Sequence, residues 1–248
     1  MTFDVAVQRL RSVVDTAGRL RAELPNGVPN IVAARARLAE GIPALAGEPL
    51  IDWPALERGV MALGGDAGDL AMTVGEAALC EAAVSGAWDA IPEGHNREET
   101  ITLIDFATRP ALRAGFVATR DLIAGANWTR GTCPACGALP AFAELRASKD
   151  GQTRILRCVR CTAAWPFARL GCPACGERQH DRLRYLHVEN ELDRRRAECC
   201  RSCGFYVKAI ARLDPVDDAM LATLDLETLP LDVLAMDAGY RRTVAAAK

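Results

Sequence analysis

Four Cys-x-x-Cys pairs stand between residues 133 and 203: Cys133/Cys136, Cys158/Cys161, Cys172/Cys175 and Cys200/Cys203. Two sulfurs on one tight turn face a common point, and two such turns supply the four thiolates of a tetrahedral metal site. In chain order, 21 residues separate the first two pairs and 24 the last two. Each gap fits two short strands and a turn, the spacing of a ribbon or rubredoxin-like site. The expected ligand sets are therefore Cys133, Cys136, Cys158 and Cys161, then Cys172, Cys175, Cys200 and Cys203. Cys199 competes with Cys200, but only Cys200 has the two-residue gap to Cys203. Redox dithiols or buried thiols explain one pair easily and four pairs poorly.

Tetrahedral sulfur suits zinc and also iron, so the expected cofactors are two metal ions of either kind. With cysteine at all eight positions no coordination position stays open. A hydrolase working through metal-bound water is thereby disfavoured, and structure or electron transfer remains. Gly137, Gly176 and Gly204 follow three of the pairs. Lacking a Cβ, each can turn at positive φ and let backbone N–H groups point at the sulfurs. The remaining pair, Cys158/Cys161, is followed by Thr162 instead. Cys80 lies in an Ala-rich helical stretch and reads as core. His180 and His187 have no place in sites already filled by cysteine, and His95 falls in a polar loop. Trp165 and Phe167 read as cover for the sites rather than as surfaces for stacking bases.

The rest of the chain must hold these turns. It has 248 residues, half of them hydrophobic, with 5% aromatic residues and a net charge of −2. That is enough for a buried core, and the total charge implies neither a nucleic-acid nor a membrane partner. No signal segment opens the chain and no apolar run is long enough for a bilayer, so the expectation is a soluble cytoplasmic protein. In a reducing compartment clustered cysteines favour metal over disulfides. The charge is partitioned: −5 over residues 1–132, +7 over 133–213 and −4 over 214–248. The central surplus, which includes Arg154, Arg157, Arg160, Arg169 and Arg178, reads as compensation for negative tetrathiolate sites rather than as a nucleic-acid footprint.

Helices are expected over 1–24, 31–40, from Pro54 through Leu63, and from Asp69 to Ala87 with Gly75 weakening the run. One or two more are expected from Thr100 to Ala126, where Pro110 predicts a break. Past Gly131 the pattern predicts small antiparallel strands at Phe142–Arg146, Arg154–Arg157, Leu183–Val188 and Phe205–Ile210. After Pro215 it is helical again. The expected fold is α+β, with a helical N-terminal domain (1–130). Two small rubredoxin-like or zinc-ribbon-like modules follow (131–170 and 171–213), then a short C-terminal helical segment (214–248).

The chain from about 130 to 242 resembles the formate dehydrogenase accessory proteins, FdhE. The resemblance rests on CPACGALP at 133–140, LRCVRCTAAWPFARLGCPACG at 156–176 and AECCRSCGFYVK at 197–208. DPVDDAMLATLDL at 214–226 and AGYRR at 238–242 continue it, and AARARLAEGIPAL at 33–45 is a weaker match. The chain is shorter than usual for the family before residue 130 and lacks the customary Asn-Pro-Phe ending. The resemblance implies a cytoplasmic, non-enzymatic assembly factor that engages the catalytic subunit of a formate dehydrogenase before export. It makes the eight cysteines the metal ligands and iron the metal, and it transfers no catalytic residue. It also prompts Asp217 and Asp218 as partner-binding residues, although a pair of carboxylates equally suits the start of the following helix. Two other functions fit the cysteines: a rubredoxin-like electron carrier and a nucleic-acid-binding zinc ribbon.

Overall fold

The structure, a computed structural model, describes residue 8 and residues 27–86, 88, 91, 97–149, 151–190, 192, 194–212, 214–217 and 220–242. Most of the helix expected over 1–24, His95 and Asp218 lie outside them. The chain divides into two compact units, residues 1–126 with 134–137, and residues 127–133 with 138–248.

The first unit is helical. Helix α1 (Ile31–Ala39) starts where Asn30 Oδ1 accepts from the N–H groups of Val32 and Ala33, both at 3.1 Å. Helix α2 (Trp53–Ala62) starts where Asp52 Oδ1 accepts from Ala55 N–H at 2.9 Å, with Pro54 in its first turn. Both are side-chain caps on otherwise unpaired helical donors. The run expected from Asp69 to Ala87 is two helices, α3 (Gly68–Val74) and α4 (Glu76–Ser85). Gly75 does more than weaken the run: its φ of 89° re-aims the chain. Leu79, Ala82, Ala83 and Val84 are then buried while Ala78 faces out.

Pro110 breaks nothing. Helix α5 runs unbroken from Arg97 to Gly125. Its buried side includes Leu103, Ile104, Phe106 and Ala107 before the proline and Ala111, Leu112 and Gly115 after it. Packing along both turns outweighs the roughly 3 kcal/mol that an interior proline costs. Gly59 of α2 meets α5 closely, since a Cβ there would stand 2.9 Å from the Ala107 Cβ.

Residues 134–137, the first cysteine turn, belong to this helical unit. Ala44 and Leu45 donate their N–H groups to the carbonyls of Pro134 and Ala135 at 2.8 and 2.9 Å. Arg37 braces the same loop by donating to the Ala44 carbonyl at 3.0 Å and by pairing with Glu48.

The second unit is built on a six-stranded sheet of order β3-β2-β1-β6-β5-β4. The strands are β1 (Phe142–Ser148), β2 (Gly151–Arg157), β3 (Ala164–Phe167), β4 (Leu183–Leu186), β5 (Arg195–Cys200) and β6 (Tyr206–Arg212). Within each four-cysteine segment the pairing is antiparallel, but β1 and β6 pair in parallel, Phe142 opposite Lys208. That parallel seam joins strands of both segments into one sheet. Strands β3 and β5 had no clear alternation in the sequence, since one holds a proline and the other two adjacent arginines and two adjacent cysteines.

Helices α6 (Leu221–Glu227) and α7 (Leu229–Asp237) cover one face of this sheet. Phe142 and Ile210 pack there with Val216, Leu221 and Leu224. Ala197, Cys199 and Tyr206 pack with Ala235, beside Leu186 and Tyr240. Among the described residues no helix is long and apolar enough to cross a membrane.

Candidate metal centres

The eight predicted cysteines gather in the two expected fours. Within each four the sulfurs lie within 4.8 Å of one another. Separations of 3.5 Å (Cys133–Cys161), 3.6 Å (Cys172–Cys203) and 3.7 Å (Cys175–Cys200) recur across the pairs. Four sulfurs around zinc at about 2.3 Å stand about 3.8 Å apart, whereas a disulfide brings two to about 2.05 Å. The donor set therefore fits a tetrahedral ion in each four.

Local backbone aims the sulfurs. Gly137, Gly176 and Gly204 have φ of 81°, 77° and 74°, as their missing Cβ allows. Thr162 takes the same turn at φ 68°, a left-handed conformation rare for a β-branched residue. Its N–H still donates to the Cys158 carbonyl at 3.0 Å, as Gly176 and Gly204 donate to Cys172 and Cys200 at 2.9 Å.

In the second four, burial pushes the Cys172 thiol up, against the lowering pull of the Cys175 and Ala174 N–H groups. Burial likewise pushes Cys203 up to about 11. Cys200 moves down: burial opposes its ionisation, but the N–H groups of Cys203 and Ser202 outweigh it. Cys172 and Cys203 thus resist ionising singly, and a cation is what would stabilise four thiolates together.

Side chains outside the fours lock the turns. Glu177 accepts from Ser202 Oγ at 2.7 Å and from the N–H groups of Arg178 and Gln179 at 2.9 and 3.0 Å, which hold its carboxyl below the usual range. Its carbonyl accepts from Cys172 N–H at 2.8 Å. Arg154, buried, donates to the Gly171 carbonyl at 2.8 Å and pairs with Glu198 at 2.7 Å. Arg157 pairs with Glu144 at 2.6 Å and donates to the Val216 carbonyl at 2.8 Å. These two arginines thus neutralise carboxylates and hold loops.

Cys199 points away from its neighbour. Successive residues of a strand face opposite sides, so Cys199 packs under α7 while Cys200 joins the second sulfur four. Cys80 is only half-buried, beside Asp52, Trp53 and Glu76, and its thiol is pushed up to about 11 by burial, then by Asp52 and Glu76. His180 and His187 are exposed. Trp165 is buried on β3 opposite Leu156, and Phe167 sits under the Arg154 guanidinium at 5.7 Å. Asp217 is exposed, and its carbonyl accepts from Met220 N–H at 3.0 Å ahead of α6.

A buried charge network escaped the reading of the sequence. Lys208 is fully buried, and its Nζ lies 2.7 Å from both Asp225 Oδ1 and Asp232 Oδ2. Tyr206 donates its hydroxyl to Asp232 at 2.7 Å. Arg242 closes the ring, 2.7 Å from Asp225 and 3.1 Å from Asp232. The tail that carries it is pinned by Tyr206 N–H to the Arg241 carbonyl (3.0 Å) and Arg241 N–H to the Gly204 carbonyl (2.8 Å). The available signal was a lone charge inside each of two apolar runs, FYVKAIA and LATLDL.

A family model described as the C-terminal domain of FdhE matches residues 170–247. The FdhE homologue of Stutzerimonas stutzeri is 37% identical over 111 residues, which cover 44% of this chain and 35% of that protein. The Serratia proteamaculans homologue is 34% identical over 112 residues, 45% of this chain and 35% of that protein. Over its C-terminal stretch the sequence is FdhE-like. Each of these alignments spans about a third of the relative's own length. The crystal structure of the FdhE protein from Pseudomonas aeruginosa matches the fold with a TM-score of 0.61 at 23% identity. That match takes in 99% of this chain and 95% of the other. The FdhE-like fold is thus a helical N-terminal part, a region with two tetracysteine clusters, and a short helical tail.

Proposed function

We propose that this chain is a cytoplasmic, non-catalytic assembly factor for a formate dehydrogenase, and that it binds the catalytic subunit during maturation. Eight cysteines act as ligands to two ions, iron or zinc, and the ions hold the cysteine-bearing unit rigid enough to present a binding surface. The single observation that supports this most is the pair of four-sulfur clusters within an FdhE-like sequence. With four sulfurs at each ion, a bound metal would supply folding energy and hold no activated water. Of the basic residues of the central segment, Arg154, Arg157 and Lys208 are buried in ion pairs and present no charge to nucleic acid.

The test is capture. Metal-loaded protein on a support is challenged with the catalytic subunit of a formate dehydrogenase from the same cell, before and after chelation. Capture by the loaded form and its loss on chelation is the expected result. No capture by a folded protein carrying two ions overturns the assembly role.

A further inference from the structure

The two sulfur fours are not equivalent. Cys133, Cys158 and Cys161 are 0% exposed and Cys136 is 4% exposed. In the second four Cys172 and Cys200 are buried, but Cys203 is half-buried and Cys175 is exposed. Nothing lies within 4 Å of where a Gly176 Cβ would stand, so the Cys175 edge opens to solvent. A hollow beside Cys172 and Cys200 is lined by Arg169, Leu170, Arg184 and Tyr185. Both arginines are exposed, while the neighbouring Glu198 is already held by Arg154 and Arg196.

We infer that the second four is a metal-exchange site serving anionic thiol ligands, and that the first is a closed structural site. This rests on the reading of both fours as metal sites. An incoming ligand displaces a thiolate only if it reaches the ion. At the first four it must wait for the protein to open locally. At the second, a thiolate would reach it along the exposed Cys175 edge, while Arg169 and Arg184, exposed at the hollow beside Cys172 and Cys200, give the module a positive field that favours an anionic ligand. The incoming thiolate would bond to the ion as the Cys175–metal bond breaks, one thiolate replacing another. The oxidation state of the metal does not change.

The experiment uses the full chain loaded with zinc alone, challenged with glutathione in the presence of a chromogenic zinc reporter. Parallel samples are alkylated and the modified cysteines located by mass spectrometry. Half of the zinc should leave at least about tenfold faster than the rest, the difference that about 1.4 kcal/mol of opening imposes. The first cysteines alkylated should be Cys175 and Cys203, then Cys172 and Cys200. Glutathione should drive the fast phase harder than neutral 2-mercaptoethanol at equal thiolate concentration, and Arg169→Ala with Arg184→Ala should erase that advantage. Cys175→Ser should bind one zinc, released only slowly. Two zinc ions leaving together, or early alkylation at Cys133–Cys161, overturns the assignment alone. Equal action of the two thiols overturns the anionic preference. Fewer than two zinc ions bound by the unmodified chain overturns the metal reading beneath it.

Discussion

At the scale of single residues, energy concentrates where a group has no alternative place. Lys208 Nζ, fully buried, is held by Asp225 and Asp232. Removing one partner of a buried ion cluster leaves the others uncompensated, a loss of about 3–5 kcal/mol. Lys208→Met is therefore expected to lower unfolding stability by about 3 kcal/mol, read by denaturant titration. Asp225 sets an acid limit. Burial raises its pKa, but Arg242 and then Lys208 outweigh that, and the carboxyl is held below its ordinary value. A depressed carboxylate stabilises the fold above its unfolded pKa of about 3.9 and ceases to do so as the pH falls through the folded value. The Tm should therefore fall as the pH drops below about 4, and the fall should be shallower in Asp225→Asn. Gly131 is held by contact rather than by φ. A Cβ there would stand 2.0 Å from the Pro173 carbonyl oxygen, next to Cys172. Gly131→Ala should cost metal at the second four while sparing the first, measured as bound ion per chain together with alkylation of the freed cysteines.

At the scale of elements, the competition is between local preference and burial. Helix α5 keeps Pro110 because the turns on either side bury their apolar face. Pro110→Ala restores a backbone donor without removing much buried surface, and should raise the Tm by a few degrees. The Cys158–Cys161 turn presents the reverse case, in which Thr162 adopts φ 68° although the other three turns use glycine. The left-handed region costs a β-branched residue about 1–2 kcal/mol. The surrounding segment over-determines this conformation: Cys158 N–H donates to the Ala163 carbonyl at 3.0 Å, closing the turn against the chain that enters β3.

At the scale of the molecule, metal held at the two fours would be coupled to the fold. The seam between β1 and β6 makes one sheet from strands of both cysteine segments. Ions held at the two fours would therefore stabilise a single cooperative element. Chelating both should lower the Tm of the cysteine-bearing unit by at least about 10 °C and diminish its strand signal in circular dichroism, while the helical signal of residues 27–126 persists. The tail belongs to the same element, because Arg241 bonds to Gly204 at the edge of the second four and Arg242 closes the network around Lys208. The acidic C-terminal segment thus places Asp225 and Asp232 against the basic central one.

Spacing alone determined which cysteines share a site, because two sulfurs three positions apart on a tight turn can hardly avoid a common point. Helical periodicity likewise determined α1, α2 and the helical tail, and the capping residues Asn30 and Asp52 mark where two of these helices begin. Tertiary structure decided what depends on partners distant in the chain. The parallel β1–β6 pair joins residues more than sixty positions apart, and no local pattern encodes such a register. The Lys208 network draws on four separate stretches, β6, α6, α7 and the tail, each of which alone shows only one or two charges. The unequal burial of the two sulfur fours is decided the same way, since exposure is set by everything that packs around a turn and not by the turn's own letters.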